Sequence, residues 1–292
     1  MTEEGGSSNS DMNTEQLQTK YENEISDLKE IISQKDEKIN SLEEQIKQVN
    51  VFFDKKFGEF KLELEQLNNI TLKHVSFVQI KNKWKSIEEQ QCCSNKCINT
   101  KKPVGNCIQG NGFINLINDE NIKYINCVAG KDNRWPCIYN ENSFKKPEYC
   151  FNYSLFYFEI KYKIEGGDKW MNIGLKNCDT DNYIDYSTLF NIISNEKEES
   201  FKIKQITLND NDIFGCGLVY PPTNNKNEYP YVFFTKNGKQ FGKGILLKEN
   251  SDLYKPYIQL CLCSAEANFG NELTNKPFIY DISKTTILSE FY

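Results

Sequence analysis

The hydrophobic positions of this chain follow two different periods, and the change between them falls near residue 70. From Thr14 to Asn68 apolar residues recur every three or four places. With Ile25 set at heptad position a, Ile25, Ile32, Ile39 and Ile46 fall at a, while Tyr21, Leu28, Leu42 and Val49 fall at d. Lys35 is the one break in the d series. Isoleucine at a with leucine at d is the pattern of a parallel two-stranded coiled coil. The flanks agree with it. Glu24 at g faces Lys29 at e of a partner helix, and Lys38 at g faces Glu43 at e, the opposite charges that set parallel pairing. After Val49 the series resumes as Phe53, Phe57, Phe60, Leu64 and Leu67, a four-residue offset that would locally unwind a supercoil. Roughly 55 helical residues would reach on the order of 80 Å. The other reading of the stripe is a single amphipathic helix folded back on the rest of the chain.

Beyond His74 the period becomes two. Leu155 to Ile164 alternates, with Phe156, Phe158, Ile160, Tyr162 and Ile164 on one face and Tyr157, Glu159, Lys161 and Lys163 on the other, as in a half-buried strand. Glu165-Gly-Gly-Asp168 reads as a hairpin turn, with a return strand from Trp170 to Leu175. A second hairpin is signalled by Asn237-Gly238 between Tyr231–Lys236 and Lys239–Phe241, because both central residues of a type I′ turn need positive φ. Upstream of it, Asp212–Tyr220 places Gly215 and Gly217 on one face and Phe214, Cys216 and Leu218 on the other. Alternate glycines in a strand leave room for a close-packed side chain. Further strands are predicted at 113–117, 122–128, 201–208, 257–263 and 266–269, with 279–282 closing the sheet. Residues 176–200 read as a long polar loop. Many short strands without a long helical pattern predict an antiparallel β-sandwich, a mainly β fold preceded by the helix. The expected domains are a disordered stretch 1–13, a coiled coil 14–70 and a sandwich 75–292.

Charge sharpens this division. Residues 1–70 carry 16 acidic side chains against 8 lysines, leaving 25 acids against 27 bases in the remainder. An acidic helix and a near-neutral body offer no clustered basic face for nucleic acid. No apolar run approaches the roughly 20 residues that span a bilayer, so no membrane span is expected. The first residues lack a basic and then apolar leader, which points to a cytoplasmic protein.

Eleven cysteines fit that reduced setting as free thiols. In one cluster, Cys92-Cys93-x3-Cys97-x9-Cys107, the thiols are numerous enough to hold zinc, but the paired C-x2–4-C repeats of a zinc module are missing and the chain has a single histidine. The cluster therefore reads as free thiols in a loop, with no metal and no cofactor. That histidine, His74, stands where helix and sandwich meet. No phosphate loop, dinucleotide fingerprint or nucleophile elbow occurs. The chain is not read as an enzyme.

Five blocks carry a resemblance. Asn133-Arg-Trp-Pro136, Leu155-Phe-Tyr-Phe-Glu-Ile160, Gly215-Cys-Gly217 with Phe234-Thr-Lys-Asn-Gly238, Leu253-Tyr-Lys-Pro-Tyr257 and Ala267-Asn-Phe-Gly270 resemble, in this order, the SPRY (B30.2) family. The branches most similar include a Ran-binding adaptor and secreted effectors of plant-parasitic nematodes. The resemblance spans about residues 77–283. It implies a two-sheet sandwich that binds a protein or peptide through loops at one end, as an adaptor to ubiquitin-ligase or signalling assemblies, or as an effector delivered to a host cell.

Candidate contacts are Asn133, Arg134 and Trp135, because arginine and tryptophan are enriched in binding hot spots, together with Tyr183, Tyr186 and Tyr229. Other readings stand beside these. Trp135 could plug the sandwich edge with Arg134 ion-paired over it, and the tyrosines of 179–186 could form a corner inside the sandwich. Pro221–Pro230 is an insertion relative to the family pattern. The expected homodimer seam is Ile25, Leu28, Ile32, Ile39, Leu42, Ile46 and Val49. The alternative function is a structural spacer in which the coil does the work and the sandwich is a passive cap.

Overall fold

The computed structural model describes the backbone of residues 9–71, 74–88, 90–99, 101–225, 227–248 and 251–292, and the helix side chains of 15–64. The chain divides into two units between Asn68 and Asn69.

The first unit is dominated by one helix, α1 (Asn9–Thr71). It starts inside the stretch expected to be disordered. Residues 1–8 lie outside the described residues. Its 63 residues give a length of about 95 Å.

In the second unit the strands are, in chain order, β1 (Val75–Phe77), β2 (Trp84–Glu88), β3 (Phe113–Leu116), β4 (Asn121–Ile125) and β5 (Cys137–Asn140). Then come β6 (Phe144–Lys145), β7 (Tyr153–Ile164), β8 (Trp170–Asn177), β9 (Tyr183–Ser187), β10 (Ile192–Ser194) and β11 (Ser200–Lys202). The last are β12 (Ile213–Tyr220), β13 (Tyr231–Lys236), β14 (Lys239–Leu246), β15 (Leu253–Cys261) and β16 (Cys263–Asn268).

They form two sheets. The first runs β14-β13-β12-β7-β16-β4-β3, and the second β11-β10-β9-β8-β15-β5-β2. Pairing is antiparallel throughout except for β1, which lies parallel to the start of β7. The result is a mainly β, two-sheet sandwich. Its core is built by the alternation read from the sequence. Phe156, Phe158, Ile160 and Tyr162 of β7 and Phe214, Cys216 and Leu218 of β12 meet Met171, Ile173 and Leu175 of β8 and Ile258 and Leu260 of β15. Each such side chain contributes roughly 1.5–3 kcal/mol on leaving water.

The Asn237-Gly238 turn has φ values of 47° and 75°, the left-handed pair that its type demands. The bare glycine face of β12 is filled as expected. A Cβ on Gly215 would overlap the Tyr157 hydroxyl, and one on Gly217 would overlap the Phe233 ring.

Two expectations need correction. Residues 176–200 are not a loop: they contain β9 and β10 and begin β11, and they send Ile184, Tyr186 and Ile193 into the core. Glu196, within that expected polar loop, is buried and accepts hydrogen bonds from Asn177 Nδ2 (2.6 Å) and the Tyr254 hydroxyl (3.0 Å). Nor is 279–282 a strand. Leu273, Phe278, Tyr280, Ile282, Leu288 and Phe291 instead pack on the outer face of the first sheet, over Leu155, Tyr157, Val219, Tyr231 and Phe233. Buried Glu159 fastens this cover by accepting from the amides of Ile279 and Tyr280, both at 2.9 Å. Burial raises the Glu159 pKa above the usual carboxylate range, against those amides, which lower it.

Candidate functional site

The loop before β5 is fixed by its backbone and presents its side chains. Gly112 donates its amide to Asp132 O (2.9 Å), and Arg134 N donates to Gly112 O (3.1 Å). The Tyr124 hydroxyl donates to Arg134 O at 2.6 Å. Trp135 N donates to Gln90 Oε1 (3.3 Å), while Trp135 O accepts from Gln259 Nε2 (3.1 Å). Asn133 faces inward and accepts from the Cys127 amide at 3.1 Å. Trp135 is nevertheless 46% exposed, with its ring 6.1 Å from that of Trp170. It does not plug the sandwich. The Arg134 side chain is 40% exposed, and its nearest carboxylate, Asp132, is 3.9 Å away and open to water, a geometry worth little to stability.

Beside this loop lies the outer face of the second sheet. Strand pairing sets Tyr139, Tyr257, Gly174 and Asp185 in one row, and Cys137, Gln259, Asn172 and Ser187 in the next. Tyr139 and Tyr257 stack with centroids 6.0 Å apart. Tyr183 meets Tyr257 edge-on at 4.8 Å and shares a 2.7 Å hydrogen bond with the Tyr139 hydroxyl. Lys176 Nζ stands 5.3 Å from the Tyr139 ring centre, a cation–π distance. The Tyr257 hydroxyl donates to Asp185 Oδ2. Burial pushes the Asp185 carboxyl up to about 6, although that donor acts to lower it. Burial, and then the Asp185 charge, hold Tyr257 well above its usual range. Asn172 Nδ2 donates to Gln259 Oε1 at 3.3 Å. Tyr139 and Tyr257 are themselves buried, at 1% and 2% exposure. What this face presents to solvent is therefore the half-buried Tyr183, Lys176, Asn172 and Gln259, a mix of aromatic, amide and cationic groups of the kind found at peptide-binding surfaces.

The six expected contact residues do not come together. Asn133, Arg134 and Trp135 lie where β7 turns into β8, since Trp135 packs on Trp170, the first residue of β8. Tyr229, 53% exposed, lies in the connection after Tyr220, which pairs with Ser154 at the opposite end of β7. Tyr183 belongs to the outer face just described. Tyr186 is core: it is 1% exposed and packs on Phe214, Phe234 and Phe241, so no partner can reach it. Residues 179–186 alternate along β9, which sends Tyr183 outward and Tyr186 inward. Sequence reasoning missed Tyr139, Asn172, Asp185, Tyr257 and Gln259. A signal for two of them was present, because Tyr257 and Gln259 alternate with the apolar Ile258 and Leu260.

On α1, Ile25, Leu28, Ile32, Ile39, Leu42, Ile46 and Val49 are all about half exposed. Their seven-residue stripe is intact along the helix. No helix among the described residues is long and apolar enough to cross a membrane.

No family model matches the chain, and no curated protein matches it either. Among solved structures, the crystal structure of a human SPRY domain is similar, at 18% identity and a TM-score of 0.39, covering 55% of this chain and 97% of that one.

Proposed function

We propose that this chain is a non-catalytic interaction protein: a SPRY-type sandwich that holds a protein or peptide target against the outer face of its second sheet and the adjoining Arg134–Trp135 loop. The observation that carries this reading is the Arg134–Trp135 loop: its backbone is hydrogen-bonded in place, yet the Trp135 side chain is 46% exposed beside the half-buried Gln259 and Asn172. The first sheet's outer face, by contrast, is sealed by the chain's own C-terminal segment. Adaptor or effector use follows from the resemblance in the five sequence blocks.

A parallel homodimer through the isoleucine seam doubles the sandwich. Two linked heads gain avidity for a paired target without any new contact. Ubiquitin-ligase or signalling components are the expected class of partner, in a cytoplasmic setting.

The test is an affinity pull-down of the full chain against the double variant Arg134→Ala/Trp135→Ala. Hot-spot truncations typically cost at least 2 kcal/mol, so captured partners should fall at least about tenfold while the melting temperature holds. Equal capture by both forms would overturn the assignment. Dimerisation is checked by sedimentation equilibrium. The full chain should run as a dimer and Ile32→Glu/Ile39→Glu as a monomer.

A further inference from the structure

The loop between β2 and β3 has almost no regular structure, yet it gathers four cysteines. Cys92, Cys93 and Cys107 are buried and Cys97 is partly so. Their four Sγ atoms all lie within 4.8 Å of one another. Cys93 Sγ is 3.4 Å from Cys97 Sγ and 3.9 Å from Cys92 Sγ. A tetrahedral zinc ion with Zn–S bonds of about 2.3 Å spaces its sulfurs about 3.8 Å apart. The observed spacing brackets that value. It is too tight for an iron–sulfur cluster, whose several metal ions hold their outer thiolates further apart.

Small buried hydrophobes are the ordinary role of free cysteines. That role does not explain the backbone here, which points amides at sulfur. Ile98 N donates to Cys92 Sγ at 3.2 Å, and Ile108 N to Cys97 Sγ at 3.5 Å. Such donors orient and stabilise the anionic sulfur that a metal requires. Lys96 takes a left-handed φ of 49° and lets the chain double back from Cys93 to Cys97, closed by the 3.0 Å bond from Lys96 N to Cys93 O. Lys96, Lys101 and Lys102, in the same loop, offset the net negative charge of four thiolates around a divalent cation.

We propose that Cys92, Cys93, Cys97 and Cys107 bind one zinc ion as a closed, structural tetrathiolate site. Each thiol releases its proton to solvent as it ligates, and no redox change occurs. The sequence hid the site because the spacing lacks paired C-x2–4-C repeats. Cys92 and Cys93 are adjacent, and Cys107 arrives only through the fold. The site also reaches the candidate binding loop. Gln90 accepts from Trp135 N, and Asn111 donates from Nδ2 to Cys92 O (2.6 Å) while its Oδ1 accepts from Asp132 N (3.4 Å). The metal would therefore stiffen the Arg134–Trp135 loop. That consequence rests on the proposed function; the metal site does not.

The experiment measures metal in the untagged full chain, purified under reducing conditions without chelator, by plasma mass spectrometry. Zinc at one equivalent per chain is expected, together with the absorption of a tetrahedral tetrathiolate complex when cobalt(II) replaces it. Cys93→Ser/Cys97→Ser should lose the zinc, and Cys150→Ser should keep it. A reduced chain that takes up neither zinc nor cobalt would overturn the proposal, as would disulfides among these four residues, iron–sulfur absorption, or zinc retained by the double variant. Should that variant fail to fold, zinc stoichiometry and the cobalt spectrum of the unaltered chain still decide. Comparing target capture by the zinc-loaded and zinc-stripped chain separates the two ideas: a bound zinc with unchanged capture leaves the metal site standing and removes only its link to the loop.

Discussion

The two outer faces of the sandwich are built from the same alternation and end differently. On the first sheet the outward positions are Leu155, Tyr157, Val219, Tyr231 and Phe233, and the chain returns to cover them with Phe278, Tyr280, Leu288 and Phe291. On the second they are Tyr139, Tyr257, Asp185, Asn172 and Gln259, with Tyr183 packed on the local cluster. The first face is mostly apolar and is buried by the chain itself, with its tyrosines hydrogen-bonded beneath the cover, Tyr157 to Glu159 and Thr235 and Tyr231 to the Leu288 amide. On the second face Tyr139 and Tyr257 are buried too, at 1% and 2% exposure, while Tyr183, Asn172 and Gln259 are half-buried and Trp135 beside them is exposed. The two faces thus differ in how they are closed: one is sealed by a long apolar segment of chain, and the other, closed by its own tyrosines, is the face proposed to meet a partner.

Truncation on the sealed face should have the largest effect. Phe233 is 1% exposed, beneath Tyr280 and stacked on Tyr157. Phe233→Ala should cost about 3–5 kcal/mol in urea denaturation. A loss below about 1 kcal/mol would show the C-terminal cover to be loosely packed.

Asp185 on the second sheet's outer face comes next, and its effect should depend on pH. Its pKa is raised from 3.8 to about 6 in the fold. Protonation therefore favours the folded state: this contribution is complete below the unfolded value and lost as pH rises through about 6. Above that the carboxylate is a cost, which Asp185→Asn removes. Partial solvent access discounts the effect to about 1 kcal/mol of stabilisation at pH 7.5, shrinking to nothing below about pH 4. Melting curves at both pH values check it. A stabilisation independent of pH would contradict the assignment.

The smallest effect on stability belongs to Arg134→Ala/Trp135→Ala. The loop is held by backbone bonds that both substitutions keep, so the change should stay within about 0.5 kcal/mol. A loss like that of Phe233→Ala would make these residues core, and the comparison would fail.

Much of this architecture was legible in the sequence, and what was hidden has physical causes. The β7 face, the glycine strand and the Asn237-Gly238 turn each rest on local rules of period or φ. β9 and β10 escaped because Asp185, Ser187 and Ser194 point outward and dilute the apolar signal of Ile184, Tyr186 and Ile193. The C-terminal segment was misread because alternation marks residues that need burial without saying whether they pair within a sheet or lie on it. That Trp135 stands exposed in its loop was open to inference from its neighbours; that Tyr139 and Tyr257 meet was not, because their meeting depends on the register of β5 against β15, which no local pattern encodes.

The most direct test of the central claim is hydrogen–deuterium exchange of the full chain with and without its captured target. Protection should appear at Asn133–Trp135 and along β15 and β8, with β12 and β13 unchanged. Protection confined to the C-terminal cover or to α1 would contradict the account.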